Sequence, residues 1–285
     1  MKSHPSQNTD VGPAIKFGLA GLVTGAVLML AFLKAGNING QSQLMTLSST
    51  HKKVAHISSP ASIQQEAILH YATSKVTPQQ TLDQINVSYT VLRSRAPCNF
   101  LVFGLGYDSL MWAGFNPGGT TLFLEEHEQW VEKVLKIAPS LHAKTVLYRT
   151  QLHEADELLS SYRSEPDCLP SNAYLKGNKK CRLALDNLPE EVYEREWDVI
   201  MIDAPMGYFK EAPGRMSAIY SAAVMARRRT GVGSTHVFVH DTDRKVEKSF
   251  SREFLCSKYL VGGSGRLWHF EIPHGGENHG GNSFC

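Results

Sequence analysis

The spacing of apolar positions changes character three times along the chain. Residues 17–33 carry no charged side chain and sit between Lys16 and Lys34, a run of 17 residues. At about 1.5 Å per residue, a helix of that length reaches roughly 25 Å, a short membrane crossing. The run is longer than the apolar core of a usual cleaved leader, no A-x-A site follows it, and it has no polar face of the kind a core helix shows. It therefore predicts a transmembrane signal anchor behind a cytosolic segment 1–16. A span this short suits the thin membranes of the early secretory pathway. Residues 34–60 are polar without sustained periodicity and predict a flexible stem. Residues 61–285 remain as one domain, large enough to bury a sizeable core.

Within that domain, Ile63, Ala67, Ile68 and Tyr71 fall at helical spacing over 62–73. Thr77-Pro78 reads as an N-cap with proline at the first helical position, and 89–95 as a further short helix. After Pro97, short apolar runs alternate with helical ones. Strands are predicted at 99–103, 120–125, 145–148, 197–203 and 235–240. Between and after them come a helix through Trp112 capped by Asp108 or Ser109, and helices at 128–137, 153–162, 215–228 and 246–254. Two closing strands, 259–261 and 267–272, make a hairpin with Gly262, Gly263 and Gly265 in its turn. The alternation predicts an α/β domain: a mostly parallel seven-stranded sheet with a C-terminal antiparallel hairpin and helices on both faces.

Composition narrows the classes. A chain of 285 residues with 42% hydrophobic and 20% charged residues is globular, neither disordered nor a multi-span membrane protein. Lys+Arg 29 against Asp+Glu 27 gives a net charge of +2, which offers no electrostatic argument for nucleic acid. Of the five cysteines, Cys168 and Cys181 bracket a loop rich in turn residues and Cys256 can meet Cys285, leaving Cys98 as a buried thiol beside an apolar strand. Together with the anchor and the sequon Asn86-Val87-Ser88, these pairings point to a domain in the lumen. H-E-x-x-H, G-x-S-x-G and Walker phosphate-loop motifs are all missing from the sequence.

In an open parallel sheet, ligands bind at the carboxyl ends of the strands, and the polar residues gather there. Gly104-Leu105-Gly106, followed by Asp108, permits a tight turn and close approach of backbone to a ligand. Glu125 ends the second strand about 20 residues further on, where a carboxylate accepts both hydrogen bonds of a ribose diol; the adjacent Glu126 is its rival. A dinucleotide or S-adenosylmethionine would use such a site. G-x-G-x-x-G fails because Ser109 holds its third position. The methyltransferase pattern, acid-x-Gly-x-Gly-x-Gly, fails at Val102 and Asp108, although the late hairpin favours the methyltransferase sheet.

Asp203 ends the fourth strand, set to orient the cofactor's amino group or to take a proton from an acceptor hydroxyl. Alternation along the fifth strand puts His236 and His240 on one face and Asp241 on the other, with His240 the competing base. Arg215 and Arg244 are candidates for bidentate binding of a substrate carboxylate. Arg227, Arg228 and Arg229 read as a solvated helix end. A divalent cation held by Asp203 and Asp241 is another use of those acids. The His- and Gly-rich stretch 274–282 reads as a tether to Cys285.

The stretches PCNFLVFGLGYDSLMW, TTLFLEEHEQWV, WDVIMIDAPMGY, EAPGRMSAIYSAAVMARRR, HVFVHDTDRKVE and EFLC…GRLWHFEIP resemble the plant DUF579 family. That family includes glucuronoxylan 4-O-methyltransferases and arabinogalactan methyltransferases, and the likeness covers residues 62–285. YRTQLHEADELLSSYRSEPDCLPSNAYLKGN is most similar to the arabinogalactan branch. The resemblance implies a Rossmann-like fold and a single-pass type II Golgi enzyme. It would use S-adenosylmethionine to methylate O-4 of glucuronic acid on arabinogalactan. Glucuronoxylan is the alternative acceptor, and the family also holds polysaccharide-assembly members of less defined activity. Gly104 and Gly106 then match the cofactor loop, Glu125 the acid after the second strand and Asp203 the fourth-strand position, and the motif retains His240-Asp241.

Overall fold

Residues 60–275 and 283–285 are described by the computed structural model. The apolar run 17–33, the polar stretch up to 59 and residues 276–282 of the tail lie outside them. Among the described residues, no helix is long and apolar enough to cross a membrane.

Continuous apolar runs become the central strands because both of their faces are covered. β1 (Asn99–Phe103), β2 (Thr120–Glu125), β3 (His142–Thr145), β4 (Val199–Ile202), β5 (Ser234–Val239), β6 (Leu260–Ser264) and β7 (Leu267–Pro273) form one sheet, ordered β3-β2-β1-β4-β5-β7-β6. The first five strands run parallel, and β7 enters antiparallel between β5 and β6. The order reverses between β1 and β4, which opens a crevice at their carboxyl ends. This is the Rossmann-like methyltransferase sheet expected from the sequence.

Alternation along the strands divides the core in two. Leu101, Phe103, Ile200, Ile202, Val237 and Val239 face one side, with α7 (Met216–Arg227). Phe100, Val102, Val199, Met201 and Phe238 face the other, with residues of α1 (Pro60–Thr73), α2 (Leu82–Arg95), α3 (Ser109–Gly114) and α4 (Glu128–Ile137). Ala218, Ala222, Ala223 and Ala226 are fully buried on α7, small enough to let the helix lie close to the sheet. α5 (Ala155–Ser161), α6 (Glu190–Glu194) and α8 (Lys245–Phe250) complete the helices, and α8 runs on as a π-helical turn, Ser251–Cys256.

Both expected disulfides are formed, Cys168–Cys181 and Cys256–Cys285, and Cys98 is buried and free. The second brings Phe284 onto Phe254 and Tyr220, with ring centroids 5.2 and 5.6 Å away. Arg227 lies over the Phe284 ring and donates to the Phe284 carbonyl at 3.2 Å; burial lowers its pKa to about 10. Arg229 pairs with Asp198 at 2.9 Å, so the arginine run is only in part the solvated face that its charge suggests.

Local readings shift where tertiary contacts outweigh pattern. Thr77 caps nothing: α2 starts at Leu82 under a capping box of Thr81 and Gln84, and absorbs the separate helix expected at 89–95. β3 ends at Thr145, where 145–148 was expected, because it is a mostly exposed edge strand without an apolar run to mark it. Gly262 and Gly263 lie inside β6, leaving Gly265 (φ +53°) in the turn. Asn86 is exposed on α2 while Ser88 of the same sequon is buried.

Candidate functional site

A cleft of about 530 Å³ opens at the carboxyl ends of β1, β2 and β4, within the range of small-molecule sites. Gly104, Gly106, Asp108, Glu125, Glu126, Asp203, Arg215, Asp241 and Arg244 all line it. The sheet thus assembles in one place all but one of the residues singled out by the sequence; only His240 stands behind the wall.

Gly104 leaves β1 at φ +125°, and a Cβ there would come within 3.2 Å of the Ala204 side chain. A Cβ on Gly106 would lie 2.8 Å from an Asp108 carboxylate oxygen. Gly104 therefore lets the β1 loop press onto the β4 loop, and Gly106 leaves room for the Asp108 carboxylate within the β1 loop itself. Asp108 makes no side-chain cap bond, although it stands at the start of α3. Its Oδ2 accepts from Trp112 Nε1 at 3.0 Å, and burial, then the charge of Asp203, push its carboxyl above the ordinary value.

Glu125 is buried at the end of β2 and accepts the backbone N–H groups of Leu105 (3.1 Å) and His127 (3.2 Å). Burial, then the neighbouring Glu126, raise its pKa to about 7. Glu126 reaches across the cleft and accepts the Met206 N–H at 2.9 Å, which ties it to the β4 loop and leaves the β2 position to Glu125. Beside them Trp130 donates from Nε1 to the Leu105 carbonyl at 2.6 Å, with Tyr107 edge-on at 5.2 Å. This aromatic wall went unread in the sequence, where Trp130 looks like one more apolar position of α4.

The inner wall is a buried charge network. Asp203 Oδ1 accepts from His240 Nδ1 at 2.9 Å and faces Arg215 Nη2 at 3.3 Å, while Oδ2 accepts from Gln80 Nε2 at 3.1 Å. Burial pushes the Asp203 carboxyl up, but the His240 hydrogen bond, Arg215 and Gln80 together hold it below its ordinary value. Arg215 also pairs with Asp241 Oδ2 at 2.9 Å and donates to the His240 carbonyl at 2.8 Å. Arg244 and Arg266 each approach Asp241 at 3.0 Å, and Glu247 lies 3.8 Å from Arg244 and 4.0 Å from Arg215.

Two sequence readings change here. The alternation that sends Asp241 away from His240 fails because β5 ends at Val239 and Asp241 adopts φ +59°, turning back onto Asp203. His236 sits at the opposite end of β5, against His269 and Arg95, each at 2.9 Å. Arg215 has a side chain only 5% exposed, and its guanidinium is committed to Asp203 and Asp241, so it holds those acids and is not free to bind a substrate carboxylate. Arg244 also pairs with Asp241, but with its side chain 32% exposed at the rim it is the more accessible of the two to a substrate carboxylate. Asp203, His240 and Asp241 also offer ligand atoms within 4.8 Å of one another, a donor set of the kind that holds a metal ion.

The family model described as IRX15/IRX15L/GXM matches residues 83–270. Arabinogalactan O-methyltransferase 2 of Arabidopsis thaliana is 56% identical, covering 94% of this chain and 92% of that relative. Glucuronoxylan 4-O-methyltransferase 2 of the same plant is 47% identical over 87% of this chain and 86% of its own length. Protein IRREGULAR XYLEM 15, also from Arabidopsis thaliana, is 34% identical over 99% of this chain and 80% of its own length.

Proposed function

The chain belongs to the IRX15/IRX15L/GXM family, and on that footing we propose that it is an S-adenosylmethionine-dependent O-methyltransferase acting on O-4 of glucuronic acid in arabinogalactan. The observation that carries this reading is the convergence of Gly104, Glu125 and Asp203 on one cleft at the switch point of the sheet. Arabinogalactan is preferred over glucuronoxylan as acceptor because the two relatives named for it are 56% and 55% identical over 94% and 91% of this chain, against 47%, 45% and 52% for the three glucuronoxylan enzymes, the last over only 73% of it.

The cleft fits the donor: the bare backbone at Gly104 and Gly106 admits its closest approach, Glu125 has lone pairs left for ribose hydroxyls, and Trp130 with Tyr107 walls a flat base. When bound, S-adenosylmethionine supplies a methyl group already activated by its sulfonium. The protein's share is to hold the acceptor hydroxyl in line and take its proton. Asp203, kept anionic and fixed in orientation by His240, Arg215 and Gln80, is the group facing the cleft for that work. His240 acts behind it as a positioning residue. Arg244 at the rim binds the uronate carboxylate.

The same reading puts the domain in the Golgi lumen as a single-pass type II membrane protein. It is supported by the uncharged run 17–33, the exposed Asn86 of the sequon and two disulfides suited to an oxidising compartment. A divalent cation on Asp203, His240 and Asp241 is a second reading of the inner wall, with Arg215, Arg244 and Arg266 as its competitors for those carboxylates. Loss of transfer after EDTA treatment, restored by added divalent metal, would assign the cluster to a cation; unchanged transfer would leave it to the arginines.

Calorimetric titration with S-adenosylmethionine tests the donor site, and a non-catalytic assembly scaffold would give no binding heat. Affinity should depend on pH. Only ionised Glu125 accepts both ribose hydroxyls, and its pKa is about 7. The dissociation constant should therefore rise as pH falls through about 7, by at most about tenfold per unit, and level off above it. Glu125→Gln should flatten that profile.

A further inference from the structure

Two large aromatic side chains stand in water beside the cleft: Tyr208, which lines it, is 68% exposed, and Phe209, edge to face with it at 5.2 Å, is 42% exposed. Neither contributes to the core, and neither has a part in the donor site. The segment that carries them is fastened along its length. Met206 N–H is held by Glu126, and Gly214 N–H donates to the Met206 carbonyl at 2.9 Å. Leu152 N–H donates to the Ala212 carbonyl at 2.7 Å and His153 N–H to the Lys210 carbonyl at 3.1 Å. The rings are thus displayed by a pinned loop, so their exposure is built into the fold.

Their position relates them to the acceptor. Tyr208 lines the cleft, and a Cβ on the preceding Gly207 would lie 3.9 Å from Arg244 Nη1. The aromatic pair therefore begins one residue away from the guanidinium that meets the uronate. A pyranose ring has a polar rim and an apolar face of C–H groups, and such a face packs on an aromatic ring while its hydroxyls stay in water. A single exposed tyrosine is ordinary on a protein surface. Two in contact, on a pinned loop, beside a carboxylate-binding arginine, form a surface matched to a glycan chain that continues outward from a glucuronate.

We propose that Tyr208 and Phe209 are the platform on which the sugar next to the glucuronic acid stacks, and that they make the enzyme prefer a polymer to a free uronic acid. The proposal rests on the methyl-transfer reading of the cleft, and two readouts keep the two separable.

The first readout is steady-state transfer by the full chain, with arabinogalactan and with methyl glucuronide as acceptors. Tyr208→Ala with Phe209→Ala should raise the polymer KM about tenfold, the loss expected for two stacking contacts. It should leave the methyl glucuronide KM unchanged and kcat within about twofold. Tyr208→Trp alone, which keeps an aromatic face, should retain the polymer KM. An unchanged polymer KM in the double variant, or an equal rise for both acceptors, would overturn the platform.

The second readout is affinity electrophoresis through a gel containing arabinogalactan, which needs no catalysis. The unaltered chain should be retarded and the double variant should not. Retardation that survives the double substitution, or none in the unaltered chain, overturns the proposal, the latter pointing to a protein partner for these rings. Retardation that depends on the rings without any methyl transfer would keep the platform and discard the donor reading.

Discussion

Replacing Asp203 with Asn is expected to lower methyl transfer by about 10²- to 10⁴-fold, the usual worth of a positioned proton acceptor. Affinity for S-adenosylmethionine should stay close to that of the unaltered chain. The amide keeps the size of the carboxylate and one of its acceptor oxygens but carries no negative charge. In the folded protein that charge is maintained against burial by His240 Nδ1 at 2.9 Å, Arg215 at 3.3 Å and Gln80 at 3.1 Å. The three contacts lower the Asp203 pKa, so the acid stays ionised in the cleft despite its burial. A carboxylate so held is a weak base in the free enzyme, but a hydroxyl becomes far more acidic as its oxygen gains a bond to carbon. What the site requires is a fixed anion at hydrogen-bond distance. His240→Asn should lower kcat less than Asp203→Asn does, because His240 acts through Asp203. Transfer by Asp203→Asn at the rate of the unaltered chain would remove that residue from the chemistry.

The second large effect concerns stability. Arg215→Met keeps most of the length of the side chain but withdraws the positive charge standing among Asp203, Asp241 and Glu247. Arg244 and Arg266 still serve Asp241, and Arg244 still lies near Glu247, but Asp203 keeps only His240 and Gln80. Breaking a buried ion pair from one side costs about 3–5 kcal/mol. For a domain of this size that lowers Tm by about 10 °C, readable by thermal unfolding. Adding Asp241→Asn should recover part of the loss, since it removes one of the stranded charges, and the double-mutant cycle measures the coupling. A Tm unchanged in Arg215→Met would mean that the arginine is not the centre of the network.

How much of this was legible in the sequence depended on where each residue's partners lie. β1 and β4 declare themselves because strands buried on both faces are written as unbroken apolar runs, and the residues that follow them, Gly104 and Asp203, inherit their place from the topology. β3 does not, because it is an exposed edge strand and the apolar residues 146–148 come after it. The capping box at Thr81 and Gln84 was in plain view as T-x-x-Q and marks the start of α2 better than Thr77-Pro78. Arg215 could not be read correctly. Its partners are 12, 26 and 32 positions away, and nothing in the local pattern distinguishes a buried clamp from a surface ligand. Gln80 is hidden for the same reason, 123 residues from Asp203. Asp241 was misplaced because the period-2 rule holds only while a strand lasts, and β5 stops two residues before it.

The central claim is that this cleft sets a methyl donor beside a glucuronate hydroxyl. The most direct test incubates the purified full chain with methyl-labelled S-adenosylmethionine and, separately, arabinogalactan and glucuronoxylan, then locates the label by glycosidic linkage analysis. The account predicts label on O-4 of glucuronic acid, incorporated faster into arabinogalactan. Label at any other position, or none on the glucuronic acid of either polymer, would contradict it.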